Sequence, residues 1–177
     1  METLQPSRER SSASPVPDFD AWVAARGPAL MRLAFALTGS QSDAEDLVQE
    51  ALSRALPKWD RIGHMNDSDA YARRMIVNAH VSMWRRTRRR ESPVAEMPFG
   101  DSTPGPDEGL PPDERRRLWL ACQALPVMQR TAVVLRYYEE LEYAEIAECM
   151  GAGESTVRSR VSRALAALRE ELGEDHG

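Results

Sequence analysis

The sequence is poor in cysteine, histidine and long apolar runs, and each shortage argues against a class of protein. Its two cysteines, Cys122 and Cys149, stand far apart and suit small core positions better than a disulfide. The three histidines lack metal-ligand spacing, and no glycine-rich phosphate loop or nucleophile motif is present, so we expect no metal, no cofactor and no enzyme activity. No apolar run approaches about 20 residues, and no signal peptide begins the chain, so we expect a cytoplasmic protein without membrane insertion.

Charge is distributed unevenly along the chain. The net charge is -5, and among 23 basic residues only Lys58 is lysine. Basic side chains cluster in RRTRRR at 85–90 and again after residue 155. The stretch 93–112 is rich in proline and acid, has no basic residue and cannot build a core, so it predicts an extended linker. This pattern is typical of a nucleic-acid binder that depends on a partner for its affinity.

The stretch 141–168 predicts two short helices joined by a tight turn. Gly151 and Gly153 break the first helix, and Ser155 is the expected N-cap of the second. The second helix has an apolar stripe, and its other sides carry short hydroxyls and guanidinium groups suited to a DNA major groove. These residues predict a helix-turn-helix with a recognition helix, the alternative being an ordinary helical hairpin with a solvated basic face. They are Ser155, Thr156, Arg158, Ser159, Arg160, Ser162 and Arg163.

The N-terminal half also reads as helical. After a disordered lead-in at 1–17, we expect a helical region interrupted near Gly27 and Pro28 and closed by Gly39. Ser42 and Glu45 match a capping box that would open the next helix. One face of that helix forms an apolar stripe: Ala44, Leu47, Val48, Ala51, Leu52, Ala55 and Leu56. The other face carries Asp43, Asp46, Gln49 and Glu50.

Two interpretations of this acidic face are open. Acid in a first helical turn is explained by the helix dipole, but Glu50 lies about two turns in, beyond that effect. The face is either simply solvated or an acidic docking surface for a basic protein partner.

A further helix should follow a loop at 58–67, with Ser68 or Asp69 as its cap. Its apolar face comprises Ala72, Met75, Ile76, Ala79 and Met83. Its polar face comprises Arg74, Asn78, Ser82, Arg85 and Arg89, which is either a solvated surface or a surface that tracks phosphates and reads bases. The predicted fold is all-α, with two small helical domains joined by a proline-rich extended linker.

Several of these motifs occur together in one known family. SDAEDLVQEAL, YARRMIVNAHVSMWRRTRRR, the proline-rich linker, LPVMQRTAVVLRYYEELEYAEIAECMG and STVRSRVSRAL follow one another in order. Across about 18–170 the chain therefore resembles an extracytoplasmic-function sigma factor, the two-domain type of the sigma-70 family. The resemblance implies a sigma-2 domain at 18–92, a linker at 93–112, a sigma-4 domain at 113–172 and a tail at 173–177.

The resemblance also implies partners and sites. The partners would be core RNA polymerase, through its beta-prime clamp helices and beta flap, promoter DNA, and an anti-sigma factor as a further candidate. The polymerase-binding residues would be Asp43, Asp46, Gln49 and Glu50. The minus-ten residues would be Asn66, Asp67, Ser68, Arg74, Asn78, Ser82, Arg85 and Arg86. The minus-thirty-five residues would be the hydroxyl and arginine side chains of the recognition helix named above. The competing function is a helix-turn-helix regulator that acts without stable polymerase association.

Overall fold

The computed structural model describes residues 18–65, 67–87 and 110–173. Across these ranges the regular structure is helical, which confirms the predicted all-α class. The helices are α1 (Phe19–Thr38), α2 (Gln41–Ala55), a 3-10 turn (Leu56–Lys58), α3 (Trp59–Ile62), α4 (Ser68–Thr87), α5 (Pro112–Ala124), α6 (Val127–Tyr137), α7 (Tyr143–Met150) and α8 (Glu154–Gly173). The predictions for 1–17, for most of the linker and for the tail after 173 fall outside these ranges. No helix in the described part of the chain is long and apolar enough to cross a membrane.

Helix α1 runs without a break through Gly27 and Pro28, so the predicted interruption is wrong. Proline removes the hydrogen bond to the carbonyl four residues earlier, here that of Ala24. Both Ala24 and Pro28 are exposed, so water can reach that carbonyl. Burial of Trp22 before this point and of Leu30 after it holds the two parts of the helix against the same core.

Helix α2 begins one residue before the predicted capping box. Ser40 is the N-cap, and its Oγ accepts a hydrogen bond from the backbone N–H of Asp43 at 3.3 Å. Glu45 instead accepts a hydrogen bond from the side chain of Gln41 at 2.7 Å, so the predicted box from Ser42 to Glu45 is wrong. The apolar stripe is buried as predicted except at its end, where Leu52 is half-buried and Leu56 is 55% exposed.

The segment after Pro57 is more ordered than the predicted loop. It forms the short helix α3, which buries Trp59 and Ile62. Asp67, rather than Ser68 or Asp69, caps α4, because its Oδ1 accepts a hydrogen bond from the N–H of Ala70 at 2.7 Å. The apolar character of Trp59 and Ile62 was the sequence signal for this helix, and four residues are too few to show a period.

The C-terminal half contains the predicted helix-turn-helix. Gly151 ends α7 in the left-handed conformation, with φ of 59°, which glycine adopts at little cost. Helix α8 begins at Glu154, so Ser155 lies inside the helix and the predicted N-cap is wrong. The facing stripes of α7 and α8 are buried, including Ile146 and Val157 at 0% exposure. Neither Cys122 nor Cys149 forms a disulfide, and burial raises the pKa of Cys149.

The two halves of the described chain, α1–α4 and α5–α8, pack against each other. Helix α1 contacts α6, and α4 contacts both α6 and α7. The buried apolar cluster is continuous from Leu37 and Ile76 in the first half to Leu135 and Ile146 in the second. At one edge, Phe35 of α1 stacks on Trp119 of α5, with ring centroids 5.0 Å apart and an interplanar angle of 10°. We call the whole junction between α1–α4 and α5–α8 the central contact.

Candidate polymerase and nucleic-acid interfaces

The acidic face of α2 points away from the core. Asp46 and Gln49 are exposed, whereas Asp43 is half-buried beside its cap. Glu50 is also half-buried and pairs with Arg54 on its own helix and, at 3.7 Å, with Arg86 of α4. Glu50 therefore connects the predicted polymerase-binding face to the predicted minus-ten face, whereas Asp46 and Gln49 remain open to a partner.

The predicted minus-ten residues separate into three environments. Asn78, Arg85 and Arg86 are exposed on α4, with Ser82 half-buried between them. Asp67 and Ser68 lie at the start of that helix, where the Asp67 carboxylate is already engaged as the cap. Asn66 lies outside the described residues, and so does Arg89.

Arg74, also predicted for the minus-ten surface, pairs with the C-terminal half, although its side chain is still 42% exposed. Its Nη2 lies 2.8 Å from Oε1 of Glu148 on α7, and its Nε is buried without a hydrogen-bond partner among the described residues. Its neighbour Arg73 donates through Nε to Oε2 of Glu139 at 2.6 Å, with both side chains less than a quarter exposed. Both pairs belong to the central contact.

The predicted contact residues of the recognition helix α8 differ in their exposure to solvent. Ser155, Thr156, Arg158, Ser162 and Arg163 are exposed, opposite the buried stripe that begins at Val157. Ser159 and Arg160 are half-buried on the flank, and Nη1 of Arg160 is fully buried with no hydrogen-bond partner among the described residues. The fork of Arg163 is therefore more available to a base edge than that of Arg160.

Arg158 is held in a defined orientation. Its Nη2 and Nε donate to Oε1 of Glu154 at 2.6 Å and 3.2 Å, and its guanidinium lies 4.2 Å from the ring centroid of Tyr143. Arg136 also lies against that ring, at 4.9 Å. The carboxylate occupies the Nε side of Arg158, so the end formed by Nη1 and the outer Nη2 proton is the part left for a ligand.

Sequence patterns did not identify the polar groups of the central contact. Arg130 is only 8% exposed, although arginine is seldom buried without a paired charge. Its Nε donates to the carbonyl of Leu37 at 3.0 Å, and its Nη1 donates to the carbonyl of Gln123 at 2.8 Å. The side chain of Gln123 donates to the carbonyl of Ala36 at 3.2 Å. These side chains therefore satisfy carbonyls in the last turns of α1 and α5, which have no partner within their own helices.

His80 lies beside this arginine in the core. It is 3% exposed, and neither ring nitrogen has a hydrogen-bond partner within the described residues. Burial and, as the smaller cause, the charge of Arg130 together lower the pKa of His80 from 6.5 to about 4. Burial also lowers the pKa of Arg130. The available sequence signal was the position of His80, four residues after Ile76 and three after Val77 on an apolar face.

Comparison with known protein families identifies this arrangement. The model of Sigma-70 region 2 matches residues 19–90, and that of Sigma-70 region 4 matches 115–168. The RNA polymerase sigma-E factor of Streptomyces coelicolor is 36% identical over 155 residues, which cover 88% of this chain and 86% of that protein. The chain belongs to the sigma-70 family. The extracytoplasmic-function sigma factor SigE of Mycolicibacterium smegmatis is 32% identical over 171 residues, covering 89% of this chain and 62% of that protein.

A solved structure agrees with this assignment. The sigma factor RpoE in complex with the anti-sigma factor NepR from Bartonella quintana superimposes with a TM-score of 0.68 at 28% identity, covering 90% of this chain and 99% of that one. The present sigma factor, of the extracytoplasmic-function type, directs transcription initiation, and its partners are core RNA polymerase and promoter DNA. The prediction of a sigma factor is therefore confirmed. The alternative, a helix-turn-helix regulator that acts without stable polymerase association, is not required to explain these matches.

Proposed function

We propose that three surfaces of this sigma factor divide the work of initiation. The domain at 18–92 docks through the acidic face of α2 on the beta-prime clamp helices, and its helix α4 reads and melts the minus-ten element. The domain at 113–172 binds the beta flap and reads the minus-thirty-five element with α8. The linker at 93–112 joins them. The single observation that carries the docking role is the exposure of Asp46 and Gln49 on a helix whose opposite face is buried.

The basis for docking is electrostatic complementarity. An exposed acidic face on a helix fixed by a buried stripe offers a rigid surface to a basic partner. The helix dipole does not account for this acidic face fully, because Asp46 and Glu50 lie beyond the first turn of α2. Glu50 has a second role in this proposal: a polymerase cation that takes its carboxylate would release Arg86 for DNA phosphate.

Promoter melting requires no covalent bond to be made or broken by the sigma factor. Capture of an unstacked base costs a few kcal/mol, which contacts to the displaced strand offset. Asn78, Arg85 and Arg86 supply exposed amide and guanidinium groups for those contacts along α4. We therefore propose that the protein is not an enzyme and that it acts in the cytoplasm, where its polymerase works. Because RpoE of Bartonella quintana was solved with an anti-sigma factor, we also propose an anti-sigma factor as a regulator here.

The docking role is tested with two charge reversals. Asp46→Lys should weaken binding to core RNA polymerase by about tenfold, equivalent to about 1.4 kcal/mol. Asp20→Lys is the matched control, since Asp20 is an exposed acid of α1 outside the proposed face. The measurement is the Kd for core polymerase, by fluorescence anisotropy of the labelled full chain, with run-off transcription from the reconstituted holoenzyme. Equal affinities for the two variants would refute the assignment of the face.

A further inference from the structure

The recognition helix is linked to α6 and α7 by a set of contacts that centres on Tyr143. Tyr143 is the first residue of α7 and is half-buried. The guanidinium of Arg158 on α8 lies 4.2 Å from the centroid of its ring, and that of Arg136 on α6 lies 4.9 Å from the same centroid. An arginine within about 6 Å of a tyrosine ring centroid is attracted by the electron-rich face of the ring. One ring therefore contacts a cation from each of two other helices.

The ring of Tyr143 is itself held in place. Arg136 donates through Nη1 to the carbonyl of Leu141 at 2.7 Å, and the same nitrogen lies 3.3 Å from Oε1 of Glu142. The backbone N–H of Glu142 donates to Oε2 of Glu145 at 2.8 Å, which fixes the first turn of α7. These contacts restrain both the ring and the backbone that carries it.

The packing of α7 on α8 is provided mainly by buried apolar side chains rather than by this ring. Ile146 and Val157, one from each helix, are both at 0% exposure. The side chain of Arg158 is 57% exposed, so its contact with Tyr143 lies at the surface of the helix-turn-helix. A cation–π contact at an exposed site contributes little to stability, but it does restrict the directions open to a long side chain.

Arg158 is restrained on two sides in this way. Glu154 accepts hydrogen bonds from Nε and Nη2 of Arg158 through one oxygen, Oε1, while Tyr143 lies against the guanidinium. A free arginine side chain loses rotational entropy when a ligand immobilises it, and this loss weakens binding. A side chain that is already held in its bound direction loses less, so the same contact with DNA gives a higher affinity.

We propose that Tyr143 is a positioning residue for promoter recognition, whose ring holds the guanidinium of Arg158 in the direction from which it contacts the minus-thirty-five element. This role rests on the proposed function of α8. Tyr143 acts through Arg158 and needs no contact of its own with DNA. The first helix of the helix-turn-helix thereby raises the affinity of the second.

The test measures the affinity of the reconstituted holoenzyme for a promoter fragment that the wild-type holoenzyme transcribes. Tyr143→Leu removes the ring and should weaken binding by about two- to fivefold. Tyr143→Phe keeps the ring and should retain wild-type affinity. Arg158→Ala should weaken binding by about fivefold or more, and the addition of Tyr143→Leu to it should cause no further loss. Tyr137→Leu is the matched control and should change nothing, since Tyr137 is 53% exposed and the described residues show no contact between its ring and Arg158.

Three outcomes would overturn the positioning role. Wild-type affinity in Tyr143→Leu would show that the ring does not matter, and a loss in Tyr143→Phe would show that the hydroxyl contacts DNA directly. An equal loss from Tyr143→Leu with and without Arg158→Ala would show that the ring acts independently of that arginine. If circular dichroism shows that Tyr143→Leu has lost helix, Tyr143→Met replaces it with the same expectation. Failure of the proposed function of α8 would appear differently, as wild-type affinity in both Arg158→Ala and Arg163→Ala.

Discussion

Replacing the buried His80 with leucine should remove much of the acid sensitivity of this protein. The ring is neutral in the folded state, because burial lowers the pKa of His80 from 6.5 to about 4, with Arg130 as the second cause. The unfolded chain takes up the proton as pH falls through about 6.5, whereas the folded chain does so only near 4. The stability that depends on neutral His80 is therefore complete above 6.5 and lost progressively as the pH falls towards 4.

The size of this effect follows from the shift in pKa. Each unit corresponds to 1.36 kcal/mol, so the fall from 6.5 to about 4 amounts to about 3 kcal/mol of unfolding free energy. That is a large part of the stability of a small domain. Protonation would also place a second positive charge beside Arg130, so the central contact should loosen in the same range of pH.

The assay is urea unfolding of wild type and His80→Leu between pH 7.5 and 4.5, followed by circular dichroism. All other side chains are the same in the two proteins, so the difference between the two curves isolates the histidine. The wild type should lose most of the 3 kcal/mol, relative to the variant, across this range. Parallel curves, with a constant difference in unfolding free energy at every pH, would refute the reasoning.

Two further predictions concern helix ends and base reading. Ser40→Ala should lower the unfolding free energy by about 1 kcal/mol through loss of the α2 cap, whereas Ser42→Ala, in the box that does not form, should change it by less than about 0.5 kcal/mol in thermal melts. Arg163→Ala should reduce the free energy of promoter binding by about 1 to 3 kcal/mol and relax the preference at one base pair of the upstream element. Arg160→Ala should weaken binding to all promoter sequences alike. A promoter-library transcription assay measures both effects. An unchanged base preference in Arg163→Ala would contradict the orientation proposed for α8.

The helices and their buried faces could be predicted from the sequence because both follow from local periodicity. The stripe of α2 and the hairpin of α7 and α8 are examples, since each residue's burial depends on its position around one helix. The helix ends were less certain: Ser40 and Ser42 are chemically equivalent caps, and only the geometry of the preceding turn selects Ser40. The predicted interruption at Pro28 was wrong because a proline disrupts a helix less when the carbonyl that it leaves unpaired, here that of Ala24, can reach water.

The central contact could not be predicted, because it depends on groups far apart in the chain. Nothing near Arg130 indicates that its guanidinium bonds the carbonyl of Leu37, 93 positions away. The pair of Arg73 and Glu139 is equally non-local. Patterns of charge placed Arg74 correctly on a polar face of α4 but could not show that Glu148 would occupy it.

The bond from Arg130 to Leu37 joins two halves of one chain, which makes closure independent of protein concentration. The strength of closure depends instead on how often the connecting segment brings the halves together, that is, on an effective concentration. The entropy of closing a loop grows only with the logarithm of its length, so doubling that length would cost about 0.6 kcal/mol. A sigma factor built in this way could carry a linker of a different length and retain most of its tendency to close.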